Sequence, residues 1–351
     1  MSMQNSFEKH LVFLRTPIKD CLTKLNQLGL DAILFIIDDK NILKGSLTDG
    51  DVRRGIINGL SLEDDVSKFI QSNPKSIQRG NYNIHEIIDF RNDGYKIIPV
   101  IDQDGIIVKT VNFRYLKSYL PLDVVIMAGG RGERLKPLTD STPKPLLKVG
   151  GKSIINHNLD RLLSFGIDDF WISIRYLGDQ IKEKIGDGSA ENVKINYINE
   201  DIPLGTIGAV SKISNFEHEY VLITNSDILT NLDYEQFFLD FVDSKADFSV
   251  ATIPYNVNVP YAILETTDKV IKSFKEKPTY TYFANAGIYL MKKTIIKEIP
   301  INQSYNATDL LDNLIKNNFN VRSFPLRGYW LDIGKHDDYN KAQEDINYIK
   351  F

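Results

Sequence analysis

Three glycines, an arginine and a lysine gather in one stretch of this 351-residue sequence. Gly129, Gly130 and Gly132 follow the apolar run Val124–Met127, Arg134 comes two residues later, and Lys144 ten residues after that. Glycine lets backbone N–H groups approach an anion with no Cβ in the way. An arginine can fork two phosphate oxygens, and a lysine adds a compact point charge. Together they could hold a polyphosphate. A tight turn beside two solvated cations is the plainer alternative, and a lone Gly-Gly-x-Gly would favour it. Two familiar phosphate motifs are excluded. The dinucleotide fingerprint needs glycine at 135, where Leu135 stands, and Gly151-Lys152-Ser153 lacks the first P-loop glycine because position 146 is Leu146.

In full, the stretch is Met127-Ala-Gly-Gly-Arg-Gly-Glu-Arg-Leu-Lys-Pro-Leu-Thr139, then Pro143-Lys-Pro-Leu-Leu147. It resembles the signature of the sugar-1-phosphate nucleotidyltransferases, and the resemblance covers about 122–351. Further segments match in order: Pro203-Leu-Gly-Thr-Ile-Gly-Ala209, Asn225-Ser226-Asp227, Glu276-Lys277-Pro278, Asn285-Ala286-Gly287 and Trp330-Leu-Asp332-Ile-Gly334. The resemblance implies attack by a sugar-1-phosphate oxygen on the α-phosphorus of a nucleoside triphosphate, with release of pyrophosphate. The nucleophile is already an anion, so the protein must position two phosphates and offset developing charge rather than supply a base. The resemblance gives Asp227 and Asp332 to Mg²⁺, Arg134 to the departing pyrophosphate, Lys144 to the triphosphate and Lys277 to the sugar phosphate. It gives Gly129, Gly130, Gly132, Gly205 and Thr206 to the nucleotide, and Glu276, Asn285 and Gly287 to the sugar. Each has a plainer rival: Asp227 as a loop cap, Asp332 as a turn residue, Glu276-Lys277 as a solvated charge pair. Where the family often has threonine after Asp-x-Gly, this chain has Lys335-His336.

Glu200 lies five residues before Gly205, where relatives often place a Gln or Glu that meets the base. A carboxylate only accepts hydrogen bonds. Guanine offers two adjacent donors on its Watson–Crick edge, whereas uracil and thymine offer one donor between two acceptors. Glu200 therefore favours GTP; its rival role is a surface acid beside Asp201. With its N-terminal region, the chain resembles the bacterial glucosamine-1-phosphate guanylyltransferases, which feed legionaminic-acid and related nonulosonate synthesis. Mannose- and heptose-1-phosphate guanylyltransferases are the near rivals.

The elements that must position these residues follow from apolar patterning. Val124–Met127, Phe170–Ile174, Lys194–Ile198, Tyr220–Thr224 and Asp247–Ile253 predict strands, and Ser153–Phe165, Asp179–Ile185, Thr206–Ile213 and Tyr234–Ser244 predict helices. Alternating strands and helices predict an α/β fold with a Rossmann-like, mixed and mostly parallel sheet, which for this family is GT-A-like.

The first ~120 residues carry a weak internal repeat. One unit runs from Thr16-Pro17 through Ala32–Ile37, Asp38-Asp39 and Ile42–Leu47; the other runs through Ile84–Phe90, Lys96–Ile101, Asp102–Gly105 and Ile106–Val111. Gly45-Ser-Leu-Thr48-Asp-Gly-Asp51 resembles the G-x-x-T-x-x-D pattern of cystathionine-β-synthase-type (CBS) pairs, which implies that Thr48 contacts phosphate and Asp51 the ribose of a regulatory nucleotide. Aligning Asp102 with Asp38 puts Lys109, Asn112 and Tyr115 where Gly45, Thr48 and Asp51 stand, so the second copy lacks the pattern. A structural dimerisation module is an equal alternative, and homo-oligomerisation is expected. The domains expected are therefore 1–120, a CBS pair, and 121–351, the nucleotidyltransferase.

Whole-chain properties narrow the classes. The length exceeds one ordinary core. A formal net charge of −4 argues against a nucleic-acid partner. Residues 1–120 carry 16 basic and 15 acidic side chains, leaving 26 and 31 for the rest, so the transferase region is the acidic part. Cys21 is the sole cysteine, and the five histidines make no metal-ligand pattern. No apolar run approaches the ~18 residues of a membrane span, and MSMQNSFEKH has no secretory pattern, so a cytoplasmic protein is expected. A non-catalytic nucleotide sensor is the rival from another class. Such a protein is expected to lose a phosphate cation or a metal aspartate, yet Arg134, Lys144, Asp227, Lys277 and Asp332 are all present.

Overall fold

The computed structural model describes residues 7–349; the first six residues of the N-terminal stretch MSMQNSFEKH, which has no secretory pattern, lie outside the described residues. The chain forms two units. One takes in the chain up to Pro121 with Leu163–Asp168 and Gly188–Val193, and the other takes in Leu122–Leu162, Asp169–Asp187 and Lys194 onward.

The N-terminal unit contains β1 (Leu11–Phe13), α1 (Ile18–Leu28), β2 (Leu34–Ile37), β3 (Leu43–Leu47), α2 (Asp49–Ile57), β4 (Gln71–Ser72), β5 (Ile77–Gln78), α3 (Ile84–Asn92), β6 (Ile97–Ile101) and β7 (Ile107–Asn112). They make a sheet ordered β1-β2-β3-β4 and another ordered β5-β6-β7. Helix α1 begins after Pro17 and stops at Gly29, whose φ of 57° suits a residue without Cβ. The two hairpins are built alike. Asp38 Oδ1 accepts from the N–H groups of Lys40 and Ile42, as Asp102 Oδ1 does from Asp104 and Ile106. Ile36 pairs with Gly45 and Val100 with Lys109, each just before a bulge. Phe35, Ile37, Ile97 and Ile107 form a buried cluster shared by both halves.

The larger unit starts with β8 (Leu122–Ala128), then β9 (Lys148–Val149), β10 (Lys152–Ser153), α4 (Ile154–Leu163), β11 (Asp169–Ile174), α5 (Gly178–Ile185), β12 (Lys194–Asn199), β13 (Tyr220–Asn225), β14 (Ile228–Thr230) and α6 (Tyr234–Asp243). It continues with β15 (Phe248–Asn258), β16 (Ile263–Thr267), β17 (Val270–Lys275), β18 (Thr279–Lys292), α7 (Ala307–Lys316), β19 (Val321–Pro325), β20 (Trp330–Asp332) and α8 (His336–Asp345). Its seven-stranded sheet is ordered β12-β11-β8-β13-β18-β15-β19. Only β18 runs antiparallel to its neighbours, so the sheet is mixed and mostly parallel. Five residues of β8, Leu122 and Val124–Ile126 with Ala128, are almost fully buried, as a strand covered on both faces must be.

Two elements differ from expectation. The segment 206–213 is not an α-helix but the 3₁₀ turn Gly208–Lys212. A Cβ on Gly205 would stand 2.5 Å from the Tyr305 carbonyl, and one on Gly208 2.7 Å from that of Gln303, so the backbone here is pressed against a neighbouring loop. Strand β15 also runs five residues past Ile253, paired with β18 from Asn258↔Thr279 to Thr252↔Asn285. Beyond it the β16–β17 hairpin completes an arm.

Candidate active site

The carboxyl ends of four parallel strands open into one cleft, the usual ligand position on such sheets. Gly129 and Gly130 follow β8, Arg175 follows β11, Glu200 follows β12, and Ser226 and Asp227 follow β13. With Lys144, Pro145, Pro203–Thr206, Met127, Ala128 and Asn225 they enclose a cavity of about 280 Å³.

Lys144 is buried at one side of this cleft, and its ammonium pairs with Asp227 Oδ2. Gly132 makes that possible. It holds φ 64°, and a Cβ there would lie 3.0 Å from Lys144 Cβ and Thr139 Cγ2. Thr139 fixes the turn by donating to the Gly132 carbonyl at 2.9 Å.

The two aspartates are brought together by β14 and β20, which pair Ile228 with Asp332, while the Ile333 N–H donates to the Asp227 carbonyl at 3.0 Å. Asn158 and the Met127 carbonyl brace the intervening Ser226 backbone, at 3.2 and 3.1 Å. Asp227 Oδ1 and Asp332 Oδ1 are both buried and accept no hydrogen bond. Burial and the neighbouring Asp227 charge raise the Asp332 carboxyl above its ordinary range, with Lys144 and Arg134 pulling the other way. The Arg134 guanidinium lies over Gly334, where a Cβ would be 3.3 Å from its Nη2. His336 accompanies it, with Nε2 2.8 Å from the Lys136 carbonyl.

Glu200 is 8% exposed. The Ser173 hydroxyl donates to its Oε1, and the Leu204 N–H donates to Oε2 at 3.1 Å. A Cβ on Gly129 would stand 2.5 Å from Oε1, so glycine at 129 lets the phosphate loop touch this carboxylate without displacing it from its Ser173 and Leu204 donors. Gly205 and Thr206 are held from the other side. Gly205 has φ 76°, the Thr206 N–H reaches Asn306 Oδ1 at 3.3 Å, and the Ala307 N–H donates to Thr206 Oγ1 at 2.9 Å. Asn306 also caps α7 in a reciprocal box with Asp309.

Asn285 accepts from the Gly287 N–H at 2.8 Å and donates to the Tyr289 hydroxyl at 2.9 Å. Gly287, at φ 71°, is packed against Asn225, which lines the cleft. Glu276 and Lys277 are placed differently. Both are exposed on the arm, between β17 and β18, and the chain's own cleft is lined without them. In the N-terminal unit, Thr48 and Asp51 do meet, but they satisfy each other. The Thr48 hydroxyl and N–H donate to Asp51 Oδ2 at 2.7 and 2.8 Å, capping α2, and Arg54 pairs with Oδ1.

Sequence reasoning missed Arg175, the second cation lining the cleft, and the braces Ser173, Asn158 and Asn306. Arg175 carried a signal, since it directly follows a parallel strand, where ligands collect. The braces carried none, because their partners are 27 to 100 residues away.

With this geometry in view, the comparisons are specific. The family model described as Nucleotidyl transferase matches residues 123–348. The chain belongs to that family. It is similar to a mannose-1-phosphate guanylyltransferase of Mycobacterium tuberculosis, at 29% identity over 64% of this chain and 64% of that one. It is likewise similar to a D-glycero-alpha-D-manno-heptose 1-phosphate guanylyltransferase of Aneurinibacillus thermoaerophilus, at 29% identity over 65% of this chain and 99% of the relative. The chain thus spans under two thirds of the mycobacterial protein and nearly all of the other. A structure described as a glucose-1-phosphate thymidylyltransferase from Bacillus anthracis shares the fold, with a TM-score of 0.53 and 24% identity over 66% of this chain and 97% of that one. Among the described residues, no helix is long and apolar enough to cross a membrane.

Proposed function

We propose that the protein transfers a guanylyl group from GTP to a sugar 1-phosphate, releasing pyrophosphate and forming a nucleotide sugar. The observation that carries this reading is the cleft in which Gly129, Lys144, Asp227 and Glu200 converge. The sugar-phosphate oxygen is its own nucleophile, so the residues have to align the phosphates and balance charge. Lys144 and Arg175 supply cations inside the cleft, and the backbone of Gly129 and Gly130 allows close approach of the triphosphate. Arg134, beside Gly334, is assigned to the pyrophosphate.

Asp227 and Asp332 fit a divalent cation such as Mg²⁺, because each has a buried carboxylate oxygen without a hydrogen-bond donor. When bound, such an ion supplies charge stabilisation to phosphate oxygens. Glu200 supports guanine: each of its oxygens accepts one bond from the protein and keeps capacity for one more from the base. The names of the relatives, two of them guanylyltransferases, support the same base.

For the sugar, glucosamine 1-phosphate is our assignment, made on the resemblance of the whole chain and pointing to bacterial nonulosonate synthesis. Mannose or heptose 1-phosphate, named in the relatives, are the alternatives the assay must include. The N-terminal unit is assigned as a CBS pair with one regulatory nucleotide position at Thr48 and Asp51, in a cytoplasmic homo-oligomer.

The test is pyrophosphate release with Mg²⁺, each common nucleoside triphosphate and a panel of sugar 1-phosphates. Turnover with GTP is expected. Turnover with UTP or dTTP but not GTP overturns the base assignment, and nucleotide binding without turnover for any pair leaves a sensor instead of an enzyme. For the N-terminal unit, any effect of added adenine or guanine nucleotides on rate is expected to vanish in Asp51→Ala, measured well below a Tm that the loss of the α2 cap lowers; an unchanged nucleotide effect would place the ligand elsewhere.

A further inference from the structure

Two cations line the cleft, and only one of them is engaged. Lys144 pairs with Asp227. Arg175 is partly buried, and among the described residues it makes no hydrogen bond or ion pair. A guanidinium carries five N–H donors and no acceptor. Set into a cleft without a partner, it leaves its acceptors to be supplied by a ligand.

Strand register fixes what stands beside Arg175. Ile174 pairs with Ala128 on one side and with Asn199 on the other, so Gly129, Arg175 and Glu200 are the next residues of three adjacent strands. The Glu200 N–H continues that row by donating to the Ile174 carbonyl at 3.0 Å. By strand alternation, residue 175 falls on the face of Ser173, whose hydroxyl meets Glu200. Guanidinium and carboxylate are therefore neighbours of opposite charge, yet no ion pair joins them. Glu200 is held instead by Ser173 and the Leu204 N–H. The metal-site side lies elsewhere. In the sheet order β12-β11-β8-β13, Asp227 follows β13, so β8 and its glycines separate it from Arg175.

We infer that Arg175 is the second reader of the base, donating to guanine O6 and N7 while Glu200 accepts from N1–H and N2–H. This assignment rests on the guanylyl reading above and adds to it. Around its edge guanine presents two donors and then two acceptors, and a carboxylate beside a guanidinium presents the complement. An arginine forked onto O6 and N7 is the commonest specific contact to that base. Glu200 alone disfavours pyrimidines but can still accept from the adenine N6 amino group. Arg175 closes that gap. Adenine puts N6 where guanine has O6, so donor would meet donor. A cation serving only the triphosphate would treat every nucleotide alike, and that difference is measurable.

The test compares GTP, ATP and 7-deaza-GTP, which lacks only the N7 acceptor, on the full chain and on Arg175→Met. Equilibrium binding is measured without sugar phosphate, and kcat/KM with it. Wild type should prefer GTP over ATP by roughly 5- to 150-fold and over 7-deaza-GTP by a smaller factor. In Arg175→Met, GTP should weaken to the level of 7-deaza-GTP, and the preference over ATP should narrow. An equal loss for all three nucleotides makes Arg175 a phosphate cation and overturns the assignment, as does a wild type indifferent to N7. Should Arg175→Met fail to fold, Arg175→Lys decides, since it keeps the charge and loses the fork. It should discriminate N7 less than wild type; unchanged discrimination overturns the assignment. Preference for UTP or dTTP, or no nucleotide binding by wild type, removes the guanine reading and this role with it. A normal preference for GTP that neither variant alters removes this role alone.

Discussion

Lys144 stands beside Asp227 with only 11% of its side chain exposed, and two half-buried carboxylates share its charge. Replacing it by methionine keeps much of the volume but leaves that acidic pair without a nearby ammonium. We expect kcat to fall at least ~100-fold, as when a preorganised charge contact is lost, with steady-state pyrophosphate release as the readout. Asp227→Asn should remove turnover and raise the Mg²⁺ concentration needed for any residual rate; near-normal activity would take Asp227 out of its role. Glu200→Gln is the informative change at the base. Its amide can donate to the Ser173 oxygen while its carbonyl accepts from Leu204, so the loop stays satisfied. Guanine then meets a mismatched edge, and kcat/KM for GTP should drop by roughly 5- to 150-fold, the cost of one unpaired buried donor. An unchanged value for GTP would leave Glu200 as a brace alone.

At the scale of elements, the second nucleotide loop is fixed by contact rather than by propensity. Gly205→Ala would combine a Cβ 2.5 Å from the Tyr305 carbonyl with an unfavourable φ of 76°. A lower Tm and a KM for nucleoside triphosphate raised about 10-fold are expected, since strain of a few kcal/mol is shared between fold and site. This loop also marks a limit of sequence reading. The strands β8, β11, β12 and β13 were visible because each is a short apolar run with a turn at its end, and those ends place Gly129, Glu200 and Asp227 in one cleft. The segment 206–213 matches a helix only in the spacing of its apolar residues, since Thr206, Ile207, Val210 and Ile213 are β-branched and Gly208 interrupts them, and its course is set by Tyr305 and Asn306, about 100 residues on. Ser173 joins the site through strand register, which residue types do not encode, whereas Arg175 directly follows a legible apolar run. The arm was equally hidden. Alternating residues of Pro254–Asn258 look like any half-buried strand, and only the fold reveals that neither face is covered.

Across the whole molecule, the far end of the central sheet is where stability is expected to depend on pH. Asp123 opens β8, is fully buried, and accepts from the His218 and Glu217 N–H groups at 2.7 and 3.3 Å. Burial pushes its carboxyl up to about 6, against the pull of those donors and of His218. An acid with a raised folded-state pKa contributes stability below its unfolded value of about 3.9 and loses that contribution as pH rises through the folded value. Asp123→Asn does not titrate. The Tm of the variant minus that of wild type should therefore climb between pH 4 and pH 7 and level off above; a flat difference would mean the carboxyl keeps an ordinary pKa.

The contact between Gly129 and Glu200 has an evolutionary consequence. Because a Cβ at 129 would push the Glu200 carboxylate off its donors, the part that handles triphosphate and the part assigned to the base share one wall. A lineage changing its nucleotide has its direct route at position 200, or through its supports Ser173 and Leu204, while a change at position 129 requires that carboxylate to move. Selection for a new base can then proceed in small steps without disturbing phosphate chemistry, whereas even one methyl group on the other side of that wall would disturb both together.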